Sequence, residues 1–532
     1  MSSTTNRAVA VGGMYLAGMA MFCRLLSLGK ELYVGSQYGP SIAFDVYALA
    51  LLIPSLGIAV VAQAARRGYL AWYARFQVQG AESLRRFEFH FLKILVIGSV
   101  IATCGLALLF GLPWNDWLPW ELTAIEKLSH ISWYAAAMLI PMTIVVGLTT
   151  LLNARKEFFV PQSTHLFPPL VTILLVAMFP QQRTAELLIT GLLLGTIIQS
   201  GVLLWLGSRY GISASAWLEH RRERSMLRIG ERDDYSGFKY AILAMIALEL
   251  LVQGNTSIDR LMAGALDDGK VSLLYWSALM KDFVTGTIIA SLLTVQFPQL
   301  SEHAAQRDYV ELKRSCSLTL RYGALFIFPF TVAIIAGVSH ILPSLSLGRL
   351  DRADMAIIAP CFTAYAFGFF ADLASTSLSQ GLMVLGRTRT LILIGVFGYF
   401  LPNLIFNALL IGPFGVVGLA ASTSLVSYCT LLCNLIVLRK SIGPFDRERQ
   451  TWSIVGLSLA AAGLMALVTW GSLHLLSGAL SGDFWRDALR VTLAIALGLI
   501  AYLAAVSMSP AKTELTFLLT MLREKFSRRH RD

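Results

Sequence analysis

Long apolar runs alternate with short charged stretches along almost the whole chain. A membrane-crossing helix needs about 20 mostly apolar residues, and runs of that kind recur from Val9 to Met508. They are too long for strands and too numerous for one buried core. The pattern predicts spans near residues 8–28, 41–63, 89–112, 131–152, 164–180, 187–207, 238–258, 271–297, 318–340, 355–380, 391–411, 414–437, 452–476 and 487–509. No small-residue cleavage site follows the first run, so residues 8–28 are expected to stay as the first span rather than leave as a signal peptide.

The loops between these spans alternate in charge. One set, which includes both chain ends, holds 29 Lys and Arg, and the other holds 8. The cytoplasmic side of a membrane protein is the one enriched in Lys and Arg, so both termini are expected in the cytoplasm. One missed or invented span would scramble the alternation, which supports an even number of spans. Two of the basic loops are long, 64–88 and 208–237, and mix arginine with Trp, Tyr, Leu and Met as membrane-surface helices do. The tail is similar: Leu515, Leu518, Leu519, Leu522 and Phe526 recur at helical spacing opposite Arg523, Lys525, Arg528 and Arg529.

Composition agrees with a bilayer protein. Charged residues are 14% of the 532-residue chain and hydrophobic ones 56%. Soluble domains carry about 25% charge, and a water-exposed protein this apolar could not cover its surface. The net charge of +11 is spread between apolar runs rather than gathered on a face, which excludes nucleic acid as the expected partner. The cysteines Cys23, Cys104, Cys316, Cys361, Cys429 and Cys433 lie in or beside apolar segments without metal-ligand spacing, and are read as small buried hydrophobes.

Residues around 33–210 and 261–440 read as two copies of one unit. LNARKEFFVP, ending at Pro161, leads into two spans that close at Arg209, and LGRTRT (Leu385–Thr390) leads into two that close at Arg439. Arg85 and Arg86 stand before the third span as Lys313 and Arg314 stand before the ninth. Six spans per copy give a parallel repeat about an axis along the membrane normal. The expected architecture is therefore all-α and polytopic. Residues 1–236 form an N-lobe, 237–441 a C-lobe, and 442–532 hold spans 13 and 14 with a basic tail. Two lobes around a central cleft suit alternating access.

Ionisable residues inside a span are costly and usually face a cavity or a partner. The sequence offers Arg24, Asp45, Glu249, Lys281, Asp282 and Asp372, with Lys30 and Glu31 just beyond span 1. Arg24 and Asp45 can be read as a structural pair or as cleft residues. Lys281 and Asp282 are adjacent, hence about 100° apart on a helix, and are expected to face water rather than each other. Lys93, Lys239, Arg321 and Arg490 sit near span ends, where they can snorkel, and are assigned no function. Arg24, Lys30 and Lys281 together would make a cationic cleft for an anionic head group such as a diphosphate. Asn403 and Asn407 share one helical face, and Thr423 lies on the next span. With Glu249 they offer oxygens for a small hard cation, or for interhelical hydrogen bonds. No nucleotide-binding GxxxxGK[ST], no HExxH and no GxSxG occurs. No enzyme, nucleotide or organic cofactor is expected, and a sodium or proton gradient is one candidate driving force.

The chain resembles the MurJ/MviN group of the multidrug/oligosaccharidyl-lipid/polysaccharide exporter superfamily. The resemblance rests on CRLLSLGKELYVGSQYGPSIAFDVYALALLIP (Cys23–Pro54), on LNARKEFFVP, and most specifically on GRTRTLILIGVFGYFLPNLIFNALLIGPFGVVGLAASTSL (Gly386–Leu425). It implies a bacterial inner-membrane flippase that carries lipid II or another undecaprenyl-diphosphate-linked saccharide outward. It also implies a sodium site at Glu249, Asn403, Asn407 and Thr423, with Asn407 where the family can have an aspartate. The family's lipid II flippases carry an arginine pair and a glutamate at the end of span 2, where this chain has Ile58, Ala59 and Gln63. They carry Asp-Arg and then Glu in span 8, where it has Ser277, Ala278 and Lys281. From the cationic set, Arg24, Lys30 (for arginine) and Asp45 are kept. These departures favour a different saccharide, such as an exopolysaccharide repeat unit, with polymerase or synthase components as further partners. Lipid II flipping, cation-coupled multidrug antiport and a transport-inactive synthase scaffold are the alternatives.

Overall fold

The computed structural model describes residues 3–59, 69, 81–111, 131–155, 157–209, 233–445, 447–477, 484–514 and 516. The chain is helical almost throughout, and no β-sheet occurs among the described residues. Among the described residues, ten helices are long and apolar enough to cross a membrane. One of them, Thr388–Ile442, covers two expected spans, which meet at a kink where Gly415 has non-helical backbone (φ 54°, ψ −132°), two residues after Pro413. Helices Ser3–Tyr38, Asp233–Gly264 and Lys270–Val284 lie over the expected first, seventh and eighth spans. The basic tail, the interfacial loops 64–88 and 208–237 in most of their length, and Gln63 lie outside the described residues.

Lipid is the solvent that explains the surface. Ile94, Ile101, Leu108, Met178, Leu409, Leu467 and Trp470 are each more than 60% exposed, an arrangement that water would penalise and acyl chains do not. Inside, small residues let helices approach closely. A Cβ on Gly195 would lie 2.5 Å from Pro168 Cα, so helices Phe167–Met178 and Ala185–Arg209 touch backbone to backbone there.

The chain forms two compact units, residues 1–275 with 347–350, and residues 276–346 with 351–532. The division falls inside the helix Lys270–Val284, downstream of the lobe boundary expected at 236/237. The first turn of that helix is tied to the first unit by Asp45. The Asp45 carboxylate accepts from the Gly269 amide at 2.6 Å, from the Ser272 amide at 2.7 Å and from the Ser272 hydroxyl. It thus satisfies amides that the start of a helix leaves without intrahelical partners. The 347–350 turn belongs to the same unit because Arg349 donates its amide to Ser36 O at 2.8 Å. Gly348 (φ +61°) has no room for a Cβ there, which would lie 2.3 Å from Ser36 O.

The core of the first unit gathers Tyr69, Leu92, Leu148, Leu151, Leu152 and Leu203. At its edge Arg155 grips Glu88 through two contacts of 2.8 and 2.6 Å, and Tyr69 donates to the same carboxylate at 2.9 Å. In the second unit, helices Glu448–Leu476 and Phe484–Ser507 pack on each other and on Tyr309–Ile341. Leu325, Ile454, Met465, Tyr502 and Val506 form that core. Arg321, expected to snorkel, is buried instead. Its Nε donates to Thr451 Oγ1 at 2.9 Å, Nη2 to Arg447 O at 3.3 Å, and Nη1 to Glu514 Oε1 at 3.4 Å. The segment after the last span brings Glu514 within reach, so the guanidinium is satisfied by protein rather than by water.

Two π-helical segments interrupt the spans, Thr285–Ile289 and Gly395–Phe400. Such insertions free backbone carbonyls and often mark working parts of a helix. The Gly398 carbonyl accepts from Thr430 Oγ1 at 2.8 Å.

Replacing Asp45 by Ala strands two amides, each at a cost of about 1–3 kcal/mol if buried without a partner. Asp45→Ala is expected to lower the thermal midpoint of the purified protein clearly, and Asp45→Asn less, because one acceptor oxygen remains. A midpoint for Asp45→Ala equal to that of the parent would rule out the capping role.

Candidate functional site

The first unit holds a compact polar cluster among apolar helices. Helix Ser3–Tyr38 supplies Lys30 and Glu31 near its end, Ile42–Ala50 supplies Tyr47, Asp233–Gly264 supplies Arg260, and Lys270–Val284 supplies Tyr275. Lys30 and Glu31 are 5% and 6% exposed, so neither could be left there alone. The Lys30 ammonium pairs with Glu31 Oε1 and donates to the Tyr47 hydroxyl at 3.1 Å. Tyr275 donates its hydroxyl to Glu31 Oε1 at 2.8 Å. Phe44 stands edge-on to both tyrosines, with ring centroids 5.3 and 5.5 Å away, and fixes their planes.

Arg260 completes the cluster. Its guanidinium lies 5.0 Å over the Tyr275 ring and donates to Ala48 O at 3.2 Å. No carboxylate lies within ion-pair distance of it among the described residues. The cluster thus carries two cations against one carboxylate. Glu31 Oε2 is buried and finds no hydrogen-bond partner among the described residues. A net-positive site enclosed by tyrosines and helix backbone suits a multiply charged oxyanion, which guanidinium and ammonium groups grip strongly out of water.

Several sequence expectations are placed by these contacts. Lys30 and Glu31 meet. Asp45, read as a cleft residue or as the partner of Arg24, is 3% exposed with both oxygens taken by residues 269 and 272, so it is a helix cap and does not face water. Arg24 stands at an exposed position of its helix. In the second unit, Lys281 and Asp282 were expected to point apart, yet Nζ reaches Asp282 Oδ1 at 3.2 Å. The ammonium also stands 5.2 Å from the centre of the Tyr365 ring. Asp372 accepts from Ser427 Oγ at 2.5 Å. Tyr47, Tyr275 and Arg260 were not singled out from sequence. The signal that could have found them is a tyrosine or arginine at a span end next to other polar positions.

The proposed cation ligands are distributed over both units. Glu249 accepts from Gln253 Nε2 at 3.2 Å in the first. In the second, Asn403 and Asn407 are fully buried, Ser422 Oγ donates to Asn403 Oδ1 at 3.2 Å, and Thr423 Oγ1 donates back to Leu419 O at 3.2 Å. Amide, hydroxyl and carboxylate oxygens are the donor types that a hard monovalent ion accepts.

The profile of the family described as "Lipid II flippase MurJ" matches residues 36–485. The chain is similar to a "Probable lipid II flippase MurJ" of Vibrio cholerae serotype O1, 22% identical over 523 residues, covering 94% of this chain and 96% of that protein. It is similar to the "Lipid II flippase MurJ" of Burkholderia cenocepacia at 22% identity, covering 85% and 88%. Among solved structures it is similar to "Lipid II flippase MurJ, inward closed conformation", with a TM-score of 0.71 at 16% identity over 93% of this chain and 98% of that one. It is also similar to an inward-facing multidrug resistance MATE transporter of the MOP superfamily, with a TM-score of 0.60 at 12% identity over 81% and 98%. At these identities the structures show a shared fold.

The Lys30–Glu31 pair can be tested by a double-mutant cycle. Breaking a buried pair by removing one partner costs about 3–5 kcal/mol, whereas an apolar replacement of both is often near neutral. Lys30→Met and Glu31→Leu are each expected to destabilise the purified protein, and the double variant is expected to unfold at a higher temperature than either. Additive losses would show that the two groups are not coupled.

Proposed function

The chain belongs to the MurJ family, and on that premise we propose that it flips a polyprenyl-diphosphate-linked saccharide from the inner to the outer leaflet of the bacterial cytoplasmic membrane, with both termini in the cytoplasm. The observation that carries the reading is the buried, net-positive cluster of Lys30, Glu31 and Arg260 with Tyr47 and Tyr275. A diphosphate brings two or more negative charges on rigid oxygens. It can take the ammonium and the guanidinium together, and Glu31 then releases Lys30. Alternating access follows as the working cycle, because a lipid head group of this polarity cannot cross hydrocarbon without an enclosed polar path. Arg24 is assigned the first contact with the head group. The protein binds and releases its cargo and forms no covalent intermediate with it.

Two saccharides fit this reading, each with its own observation. Lipid II is favoured by the family and by the names of the relatives. A different saccharide, for exopolysaccharide or envelope synthesis, is favoured by the uncharged Ile58, Ala59, Gln63, Ser277 and Ala278. Ser277 in particular is fully buried and donates to Ile358 O at 3.4 Å, so it offers a head group nothing. Complementation of a strain depleted of its lipid II flippase separates the two. Growth rescue assigns lipid II. Absence of rescue at normal membrane levels, with lipid-linked intermediates accumulating in the native host on deletion, assigns the other saccharide.

Within either assignment, Arg24→Ala at matched membrane levels is expected to abolish export, and Arg24→Lys to keep part of it, since charge survives but the two-pronged grip does not. Full export by Arg24→Ala would remove the head-group contact. The cation reading is tested separately. If sodium binds at Glu249, Asn403, Asn407 and Thr423, transport into inverted vesicles responds to an imposed sodium gradient, and Asn407→Leu abolishes that response. A sodium response equal in parent and Asn407→Leu would leave these residues as interhelical hydrogen-bond partners only.

A further inference from the structure

The second unit contains a polar cavity of about 340 Å³ that the proposed transport path does not use. Glu311, Arg314, Arg321, Arg447 and Glu514 line it, with Val310 and Leu318 at its apolar edge. Its depth in the membrane can be read from the helices that form it. Tyr309–Ile341 opens with Glu311, Lys313, Arg314, Ser315 and Ser317 before its apolar run starts, and Glu448–Leu476 opens with Glu448, Arg449 and Gln450. Both helices change from polar to apolar beside the cavity, so it lies at the level of lipid head groups. Val310 is 63% exposed next to it, which gives an acyl chain a surface to follow.

The charges of the cavity are not used equally. Glu514 is buried and already occupied: it receives Arg321, the Thr513 hydroxyl at 2.7 Å and Gln450 Nε2 at 3.4 Å. Arg321 is likewise committed to Thr451, the Arg447 carbonyl and Glu514. Arg314 pairs with Glu311 at 3.1 Å, but their side chains are 57% and 41% exposed, and a pair so wet is weak and readily exchanged. The Arg447 guanidinium has no partner among the described residues. Its backbone is held in the left-handed region (φ 46°, ψ 46°), a conformation that costs free energy in a non-glycine residue and tends to persist at ligand clamps. Among the described residues one guanidinium therefore has no partner and a second is easily released, above a floor in which Arg321 and Glu514 cancel.

We propose that this cavity binds the phosphoryl head group of a bilayer phospholipid, with Arg447 and Arg314 gripping the phosphate and the acyl chains running along Val310 and Leu318. Guanidinium groups meet phosphate oxygens two at a time, and the exposed apolar edge distinguishes a lipid phosphate from a free one. The site would tie the helices Tyr309–Ile341 and Glu448–Leu476 to the membrane surface through a lipid. The inference is independent of which saccharide is transported.

The test uses purified full-length protein in detergent, with dioctanoyl phosphatidylglycerol, dioctanoylglycerol and inorganic phosphate as probes at equal concentration. The phospholipid is expected to raise the thermal midpoint by several degrees, and the other two to leave it unchanged. Arg447→Ala is expected to lose at least half of the shift, and Arg314→Ala/Arg447→Ala all of it. Because Arg314 is exposed, Arg314→Ala retains the fold and serves alone if the double variant does not accumulate; a clear loss of shift is then expected. A shift of parental size in these variants overturns the site. A shift reproduced by inorganic phosphate overturns the lipid as its occupant.

Discussion

Hydrocarbon offers no partner to a charge, so each ionised group buried among these helices must be met by another protein group. That constraint organises both units. Asp45 is met by backbone amides, Glu88 by Arg155 and Tyr69, Arg321 by Glu514, Thr451 and a carbonyl, and Lys30 by Glu31 and Tyr47. The solutions differ in how completely they close. Asp45 uses both oxygens on fixed backbone and is a permanent part of the frame. The Lys30–Glu31–Arg260 cluster keeps an excess of positive charge and a carboxylate oxygen without a partner among the described residues. An incompletely satisfied buried site is expensive to hold without a ligand, and it is the kind of place where an incoming oxyanion gains the most.

The helices are regular where they only need to span and irregular where residues are displayed. The π-helical segment Thr285–Ile289 follows Lys281 and Asp282 within one turn, and Gly395–Phe400 immediately precedes the helix that carries Asn403 and Asn407. The break at Gly415 then separates those asparagines from Thr423. Each irregularity loosens the backbone ladder beside a polar side chain, which allows local rearrangement without unravelling a span. Apolar packing holds the rest. The Tyr502 hydroxyl on Leu325 O and the near-contact of Gly498 with Thr469 show how tightly the last two spans sit against their neighbours.

The MATE-like similarity of the fold sets a limit on what architecture can say about cargo. The same arrangement of helices carries the names of drug exporters and of lipid flippases, so the distinction lies in side chains. On the function proposed above, those side chains are Lys30, Glu31, Arg260, Tyr47 and Tyr275, whose chemistry suits an oxyanion better than a lipophilic cation.

Much of the fold was legible along the chain because hydrophobic period and length decide a membrane helix locally. The expected apolar runs are mostly helical in their described residues. The adjacency of Lys30 and Glu31 also showed in sequence. The partners of the charges did not. Asp45 looked like a cleft residue because nothing local reveals that its acceptors serve amides more than two hundred positions away. Arg321 looked like a snorkelling residue because Glu514 lies in a segment that sequence assigns only to the tail. Arg260 looked like one more loop cation. The sequence by itself determined where helices run, where they break and that some must carry charge through hydrocarbon, since those follow from the chemistry of neighbouring residues. Only the tertiary structure decided which charges are neutralised and which are kept in reserve, because that depends on side chains brought together from distant helices.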